Sequence, residues 1–243
     1  PPLEELELDD LYALPYMRAY HPIYEKAGGV PAIQEVKFSI TANRGCFGGC
    51  AFCAITYHQG REVRSRSKGS IVEEARLMTQ DPQFKGYIHD IGGPTANFHH
   101  PSCQKQLKHD MCGSKNCLFP KPCSQLDTDH SDYIDVLRAV RGLDGVKKVF
   151  IRSGIRYDYV IAGWKNGGRE SGDGSGRKFL KELCEHHVSG VLKVAPEHVS
   201  DTVLRQMHKL PAEVFDRFSS AYREYSRKAQ RRQYMIPYFI SSH

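Results

Sequence analysis

Three cysteines fall within eight positions of the sequence: Cys46, Cys50 and Cys53, in the stretch RGCFGGCAFC. Four thiolates would close a structural metal site, and two would form a redox pair. Three thiolates on one short loop can hold three corners of a [4Fe–4S] cluster and leave its fourth iron open. The neighbouring glycines permit the close backbone approach that such a loop needs. Phe52, beside the last cysteine, would shield the cluster from water.

The alternative for this loop is a zinc site whose fourth ligand is His58. Structural zinc sites are usually built from two pairs of ligands at C-x2-4-C spacing, and this loop has a single triplet. The spacing therefore favours the cluster, with zinc as the competing interpretation.

A second group of cysteines lies in the connection from residue 93 to residue 131, which shows no helix or strand pattern. Its members are Cys103, Cys112, Cys117 and Cys123. Connections of this length are uncommon unless they are functional or held by cross-links. Four thiolates would close a zinc site or an auxiliary iron–sulfur cluster, and four reduced thiols packed in the loop are the alternative. The remaining cysteine, Cys184, is predicted to be a small buried apolar residue.

Composition places the chain among ordinary globular proteins. Of its 243 residues, 40% are hydrophobic and 26% are charged. No apolar run is long enough to cross a bilayer, and the acidic start PPLEELELDD does not resemble a signal peptide. We therefore expect a cytoplasmic location and no membrane partner. Both ends look cut, so we expect a fragment of a longer protein.

The net charge of +6 raises the question of a nucleic-acid partner. The basic residues gather along one predicted helix, and they are Arg217, Arg223, Arg227, Lys228, Arg231 and Arg232. Because no aromatic stacking platform or RNA-binding motif accompanies them, a solvated helix face is the favoured interpretation.

The chemistry-bearing residues need a scaffold, and the hydrophobic pattern predicts one. Strands are predicted over 35–42, 86–92, 147–153, 189–195 and 233–241. Helices are predicted over 70–79, 132–143, 177–187, 200–209 and 211–230, the first opened by a capping box of Ser70 and Glu73. Alternating strands and helices of this kind form a parallel sheet, either open or closed into a βα barrel. Residues 1–33 read as a lead-in and linker, and 34–243 as the core with a Cys-rich insertion at 93–131.

In such barrels the chemistry lies at the carboxyl ends of the strands. The cysteine loop follows the first predicted strand, and polar motifs follow each of the others. These motifs are GGPTAN at 92–97, SGIRYD at 153–158, PEH at 196–198 and SSH at 241–243. The sequence thus predicts one functional edge.

The cysteine loop resembles the CxxxCxΦC signature of the radical S-adenosylmethionine (SAM) superfamily, with Phe52 at its aromatic position. An ordered series of further motifs is similar to the YgiQ-type radical SAM proteins, and the likeness runs from about residue 11 to the end. The series is RGCFGGCAFC, SRS, DIGGPTAN, RSGIRYD, KVAPEH and QYMIPYFISSH.

The resemblance implies an α/β fold, a roughly six-stranded partial βα barrel, which this chain would follow to about its fifth strand. It implies a [4Fe–4S] cluster on Cys46, Cys50 and Cys53, and SAM bound beside it. A one-electron reductant of flavodoxin or ferredoxin type would supply the electron that cleaves SAM to a 5′-deoxyadenosyl radical. The resemblance assigns no substrate.

It also suggests residues for SAM. Gly92 and Gly93 correspond to the glycine pair that meets the SAM amino group. The acid that usually follows that pair is Pro94 here, so its role passes to Thr95 or Asn97, or is lost.

Ser153 and Arg156 occupy positions that touch the SAM ribose or carboxylate in other members, with a capping serine and a surface arginine as the alternative. Glu197 and His198 would position SAM or move a proton, with a rim ion pair as the alternative. We take Glu197 and Arg156 as candidate catalytic residues. Arg64 and Arg66 would lie near the carboxylate or the cluster, or be solvated.

Two other functions compete with the radical SAM enzyme. One is a Cys-rich nucleic-acid-binding module with structural zinc, and the other is an electron-transfer iron–sulfur protein, whose clusters normally have four thiolates. The glycine-rich stretch 163–176 lacks phosphate-loop spacing and is predicted to be a flexible loop.

Overall fold

A computed structural model describes residues 2–109, 111–164 and 174–241. Helices α1 to α9 are Glu5–Tyr12, Ile33–Val36, Ile55–Gln59, Lys68–Thr79, Ser131–Arg141, Tyr157–Ala162, Ser175–Glu182, Asp201–Gln206 and Ala212–Lys228. Strands β1 to β8 are Ser39–Thr41, Asn43–Arg44, Arg64–Ser65, Tyr87–Ile88, Asp90–Gly92, Lys148–Val149, Val191–Glu197 and Tyr234–Phe239. A 3₁₀ helix spans Pro22–Ala27, and a π-helix spans Leu183–His187. The predicted α/β class is confirmed. Much of the predicted loop 163–176, and the last two residues of the predicted motif 241–243, lie outside the described residues.

Parallel pairing organises the main strands. β1 pairs with β5, β4 pairs with β6, and β7 pairs with β8. Because β4 and β5 are parts of one stretch, 87–92, that stretch lies between β1 and β6. β2 and β3 form a separate antiparallel pair next to the cysteine loop. The carboxyl ends of β1, β5 and β6 therefore face the same edge.

Several predicted strands are too long at one end. The prediction over 35–42 is wrong in its first part, because Ile33–Val36 is helical and β1 begins at Ser39. The prediction over 147–153 shrinks to Lys148–Val149. Phe150 N still donates to the Ile88 carbonyl at 2.9 Å, but Arg152 N donates to the side chain of Asp90 at 2.7 Å instead of a backbone carbonyl, so the backbone ladder stops there. The strand predicted over 189–195 is shifted to Val191–Glu197.

The start of α4 corrects the predicted capping box. Ser67, not Ser70, is the N-cap, with extended backbone and a hydroxyl that accepts from Ser70 N at 3.1 Å. The Ser70 hydroxyl instead accepts from the Arg66 guanidinium at 2.8 Å. Glu73 pairs with Arg76 on the exposed face. The helix thus begins one turn earlier than its polar pattern suggests.

A large apolar core lies between the strands and the helices α4, α5, α6, α7 and α9. A smaller cluster lies beneath the cysteine loop, and its members are Cys46, Phe47, Val63, Phe98, Leu118 and Tyr159. In it the rings of Phe47 and Phe98 stack with centroids 3.7 Å apart. Burying each such ring contributes roughly 1.5–3 kcal/mol, so the loop is anchored to a packed base.

The N-terminal segment packs on α4 and on the β2–β3 pair. Asp9 of α1 accepts a hydrogen bond from Ser67 N at 3.0 Å. The Tyr12 ring lies 4.3 Å from the Arg66 guanidinium carbon. Within the described ranges, none of the helices is both long and apolar enough to cross a bilayer.

Candidate functional site

The cysteine loop leaves β2 through a glycine that the fold requires. Gly45 has φ +80°, and a Cβ at this position would lie 1.8 Å from the carbonyl oxygen of Glu62. Cys46 N then donates to the Gly60 carbonyl at 3.0 Å. The close approach that the sequence predicted is therefore made against the β2–β3 connection.

Two further glycines let other groups reach the loop. A Cβ on Gly48 would lie 2.2 Å from Nη1 of Arg156 and 3.3 Å from Sγ of Cys46. Gly49 has φ +64°, and a Cβ there would lie 2.7 Å from Oδ1 of Asn116. The loop thus forms a cradle: Gly48 lets the Arg156 guanidinium approach it, and Gly49 lets Asn116 of the Cys-rich connection approach it.

Arg156 is the cation in this cradle. Its Nη1 donates to Sγ of Cys50 at 3.2 Å. Its Nε and Nη2 hold Asp158 in a bidentate pair at 2.8 and 2.6 Å. Both residues are buried. Burial alone would lower the pKa of Arg156, but Asp158 and Cys50 outweigh it and raise that pKa well above its ordinary value.

Asp158 was missed by the sequence reasoning, although it stands at the end of the quoted motif SGIRYD. Burial alone would raise its pKa, but the Arg156 guanidinium holds the pKa of Asp158 below its usual range. The predicted Arg156 is therefore neither a surface arginine nor solvated. It carries a fixed positive charge to the cysteine loop, and Asp158 orients it.

The three thiols differ in their surroundings. Cys46 is buried, with Sγ 3.6 Å from the hydroxyl oxygen of Thr95, whereas Cys50 and Cys53 are half-buried. Burial raises the pKa of the Cys46 thiol, against the opposing effect of Arg156. Among residues 2–109, 111–164 and 174–241, no three Cys, His, Asp or Glu side chains converge at metal-ligand distances. Side-chain rotation would have to bring these thiols together on a shared ligand.

The donor set suits an iron–sulfur cluster. It consists of three thiols on one loop, a hydroxyl beside one of them and a guanidinium beside another. A thiolate-ligated cluster carries negative charge, which a nearby fixed cation and hydrogen bonds to sulfur stabilise. Because Gly48 has no Cβ, Nη1 of Arg156 can reach the loop beside Cys46. Phe52 is 38% exposed, whereas the buried aromatic next to Cys46 is Phe47.

The predicted glycine pair and Ser153 come together. They line one cavity of about 320 Å³ at the carboxyl ends of β1 and β5, with Ser39, Ile40, Thr41, Arg44, Gln59, Asp90 and Pro94. A Cβ on Gly92 would lie 2.3 Å from Oγ of Ser153, and one on Gly93 would lie 2.5 Å from Oδ1 of Asn43. Packing alone therefore requires both glycines. The Gly92 carbonyl accepts from Ala42 N at 2.6 Å and belongs to the sheet.

Asp90 holds Ser153 in this cavity. The Ser153 hydroxyl donates to Oδ2 of Asp90. Oδ1 of Asp90 accepts from the backbone N–H groups of Arg152 and Ser153 at 2.7 and 3.0 Å. The signal that could have identified Asp90 is a carboxylate at the start of the quoted motif DIGGPTAN.

Thr95 and Asn97 have different surroundings. Thr95 faces Cys46, as described. Asn97 accepts from Arg156 N at 2.8 Å, and its Nδ2 donates to the Arg156 carbonyl at 3.3 Å. Asn97 therefore fixes the backbone of Arg156.

Glu197 ends β7 in a conformation that is rare for a residue with a side chain. Its φ is +75°, and its backbone bonds to Ile240 at 2.8 Å. Such outliers persist where the surroundings determine them, often at functional sites. Burial raises the pKa of Glu197, while Lys209 and Arg156 act against that rise.

Lys209 is a site residue that the sequence did not reveal. It is 4% exposed, donates to the Ala195 carbonyl at 2.7 Å and lies 5.3 Å from the Tyr157 ring centroid. Burial lowers the pKa of Lys209, and Arg156 lowers it further, whereas Asp158 and Glu197 oppose them. His198, predicted beside Glu197, accepts from Ser200 N at 2.9 Å and shapes the turn before α8.

Arg64 and Arg66 serve the N-terminal packing. Arg64 pairs with Glu4 at 2.8 Å and also with Glu62. Arg66 is buried against Glu74. The expectation that these arginines are solvated is wrong for Arg66. The contacts of both place them at the α1–α4 side of the core.

The chain is similar to several known proteins. A family model described as Radical SAM N-terminal matches residues 1–39. A UPF0313 protein of Clostridium botulinum (strain Okra / Type B1) is 54% identical over 243 residues, which is 100% of this chain and 36% of the relative. A UPF0313 protein of Clostridium perfringens (strain ATCC 13124) is 54% identical over 242 residues, which is 100% of this chain and 35% of the relative. The chain thus spans about a third of the length of these relatives.

Among solved structures, the cobalamin-dependent S-adenosylmethionine radical enzyme OxsB with aqua-cobalamin bound matches with a TM-score of 0.56. The match has 13% sequence identity and covers 83% of this chain and 23% of that chain. At this identity the likeness shows the fold. The 54% identical relatives and the family-model match over residues 1–39 show that the chain belongs to the UPF0313 family, the YgiQ-type family of radical SAM proteins.

Proposed function

We propose that this chain is the cluster- and SAM-binding core of a radical SAM enzyme. The proposal includes a partial βα barrel whose strands in order are β1, the stretch 87–92, β6, β7 and β8, with residues 1–33 as its lead-in and 34–243 as the core. Three parallel pairs, β1 with β5, β4 with β6 and β7 with β8, support it, and among the residues that the structure describes no strand pairing joins β6 to β7. The observation that carries the proposal is the convergence of Arg156 and Thr95 on the thiols of a three-cysteine loop at a strand end.

Cys46, Cys50 and Cys53 would hold the [4Fe–4S] cluster. When bound, the cluster and SAM supply one-electron cleavage of SAM to a 5′-deoxyadenosyl radical, which abstracts hydrogen from a substrate. Arg156 stabilises negative charge on the Cys50 sulfur, and the Thr95 hydroxyl lies against the Cys46 sulfur. Cys46 and Phe47 exclude water from the base of the loop.

The cavity lined by Gly92, Gly93 and Ser153 would hold SAM, because it lies at the carboxyl ends of β1 and β5, is also lined by Arg44, the last residue before the cysteine loop, and has a volume in the usual range for ligand pockets. Arg44 contributes a positive charge and Asp90 a negative one to its wall. A zwitterionic amino acid group is a suitable ligand for such a wall. Asp90 fixes the Ser153 hydroxyl, so the cavity is preorganised.

Glu197 would hold or move a proton at its carboxylate. Its raised pKa keeps the protonated form accessible, and Lys209 and Arg156 are the charges that tune it. The strained backbone fixes the direction of this side chain at the strand end. Glu197 and Arg156 remain the proposed catalytic residues.

A flavodoxin- or ferredoxin-type protein would deliver the electron. All eight cysteines are unpaired, which suits a reducing cytoplasmic compartment. The substrate class stays open in this proposal.

Anaerobic reconstitution with iron and sulfide tests the function. We expect a brown protein that, with dithionite and SAM, releases 5′-deoxyadenosine detectable by mass spectrometry. Cys46→Ala, Cys50→Ala and Cys53→Ala should each abolish this product. Cys184→Ala, which removes a buried thiol far along the chain, is the control and should retain it. Product formation in any of the three loop variants would contradict the assignment of the cluster to this loop.

A further inference from the structure

The second cysteine group surrounds a single small cavity. Its volume is about 40 Å³. The four thiols share its wall with other residues of the 93–131 connection, and the lining residues are Ser102, Cys103, Lys105, Gln106, Met111, Cys112, Lys115, Asn116, Cys117, Cys123 and Leu126. Four cysteines spread over 21 positions have thus been brought to one place by the fold.

Little regular structure holds this connection in shape. From residue 93 to the start of α5 at Ser131, its described part has no helix or strand. A few turn bonds shape it, such as Cys123 N to the Cys117 carbonyl at 2.9 Å and Gln106 N to the Cys103 carbonyl at 3.0 Å. A connection of this length usually needs a cross-link of some kind to keep one conformation.

The donors and the size of the cavity together select the ligand. Four thiols with no carboxylate or imidazole among the lining residues form a soft donor set, which suits zinc or an iron–sulfur cluster. Nζ of Lys105 lies 3.8 Å from Sγ of Cys112, so a cation stands at the cavity wall beside one of the four thiols. The cavity between the thiols, about 40 Å³, is close to the roughly 30 Å³ that one water molecule occupies in the liquid, so it has room for a single ion rather than a four-iron cube.

We propose that Cys103, Cys112, Cys117 and Cys123 bind one zinc ion in a closed tetrahedral site. In the described part of the chain, no three of the thiols stand at metal-ligand distances. Zinc therefore draws them inward by side-chain rotation and stiffens the connection as it binds. The site is structural, because all four positions around the ion are filled by protein.

The zinc site also supports the first cysteine loop. Arg61, which follows that loop, donates to the carbonyls of Cys112 and Lys115 at 3.0 and 2.7 Å. Asn116 lies against Gly49. Cys117 packs on the apolar cluster that contains Cys46. Zinc binding, by holding the 93–131 connection in one conformation, would also hold these three contacts with the first cysteine loop in place.

Metal analysis of protein purified anaerobically, without added iron or sulfide, tests the proposal. We expect one zinc per chain by mass spectrometry. The double variant Cys112→Ser/Cys117→Ser should lose at least nine-tenths of it and become sensitive to proteolysis within 93–131. Cys46→Ala and Cys184→Ala should keep the zinc. This readout does not depend on SAM cleavage, so the zinc site and the proposed function can fail separately.

A measurement on the unaltered protein covers the case in which the double variant does not fold. Titration with an organomercurial should release one zinc as four thiols react, and peptide mapping should locate the mercury on the second group. Cobalt substituted for zinc should give the visible absorption of a tetrahedral tetrathiolate. Release of iron and sulfide from this group would show an auxiliary cluster instead, and thiols that react without releasing any metal would show simple packing. Either result overturns the zinc site.

Discussion

The Arg156–Asp158 pair decides how charge reaches the proposed cluster loop. A buried ion pair is costly to break, because the remaining partner is left charged in a medium of low polarity. Here the bidentate geometry commits one edge of the guanidinium to Asp158 and turns the remaining Nη1 to Cys50. The carboxylate thus acts on the cysteine loop through the arginine.

Asp158→Asn should destabilise the protein by about 3–5 kcal/mol, because Arg156 keeps its charge and loses its partner. Denaturant unfolding of the apoprotein measures this. Asp144→Asn, which removes an exposed carboxylate, is the control and should change the unfolding free energy by no more than about 0.5 kcal/mol. The double change Arg156→Met/Asp158→Leu should recover much of the loss. Equal unfolding free energies for Asp158→Asn and Asp144→Asn would show that the pair contributes nothing.

His99 is a buried histidine whose pKa is lowered by its surroundings. Its ring stacks on Tyr133 with centroids 5.4 Å apart, and, in the described part of the chain, its Nε2 is buried without a hydrogen-bond partner. Burial, aided by His100, lowers the pKa of His99 to about 4. The folded protein therefore keeps this ring neutral under conditions that protonate it in the unfolded chain.

The pH dependence follows from that difference. Between pH about 6.5 and 4 the unfolded chain binds a proton at His99 that the folded chain does not, so stability falls as the pH falls. From pH 7.5 to pH 5 the loss should be about 2 kcal/mol, at 1.36 kcal/mol for each unit of pKa. His99→Phe should remove most of this dependence in urea unfolding at the two pH values, whereas His58→Phe, on an exposed histidine, should preserve it. An unchanged dependence in His99→Phe would assign it to other groups.

Most of the candidate site residues could be proposed from short motifs and the family resemblance that these motifs carry. The cysteine spacing, the glycine pair, Ser153, Arg156 and Glu197 all stand in short motifs at predicted strand ends. Asp158 and Asp90 were inside quoted motifs, but their importance depends on which side chain each one contacts. Lys209 has no local signal at all, because only the packing of the segment after α8 on Tyr157 brings it to the site.

At the scale of elements, the order of strands and helices could be predicted, and their ends could not. Alternating apolar residues at 86–92 and 189–195 marked real strands, but the ladder partners set where each strand stops. Ser70 was the predicted N-cap of α4, but its hydroxyl accepts a hydrogen bond from the Arg66 guanidinium instead. The helix predicted over 177–187 changes to a π-helix at Leu183, where the backbone carbonyl of Cys184 accepts from Gln233 at 2.8 Å. Tertiary contacts of this kind cannot be predicted from a short segment of the sequence.

At the scale of the whole molecule, a buried carboxylate, Glu74, is one of the groups that join the N-terminal segment to the core. Glu74 of α4 is 7% exposed and pairs with Arg66 from the core and Arg18 from the N-terminal segment. The family-model match over residues 1–39 covers the same segment. Because Arg66 also lies against the Tyr12 ring, the carboxylate organises both sides of this contact.

Glu74→Gln should therefore loosen the whole segment. The side chain of Arg66 is 1% exposed, so it would keep a buried charge without its counter-ion, at a cost of about 3–5 kcal/mol. Hydrogen exchange should accelerate in residues 5–18 more than in α5 or α9, and limited proteolysis should cut first near the segment. Glu73→Gln is the matched control, because Glu73 and Arg76 form an exposed pair whose loss costs less than about 1 kcal/mol. If both variants exchange alike across the chain, Glu74 does not hold the segment to the core, and the apolar and backbone contacts of α1 do.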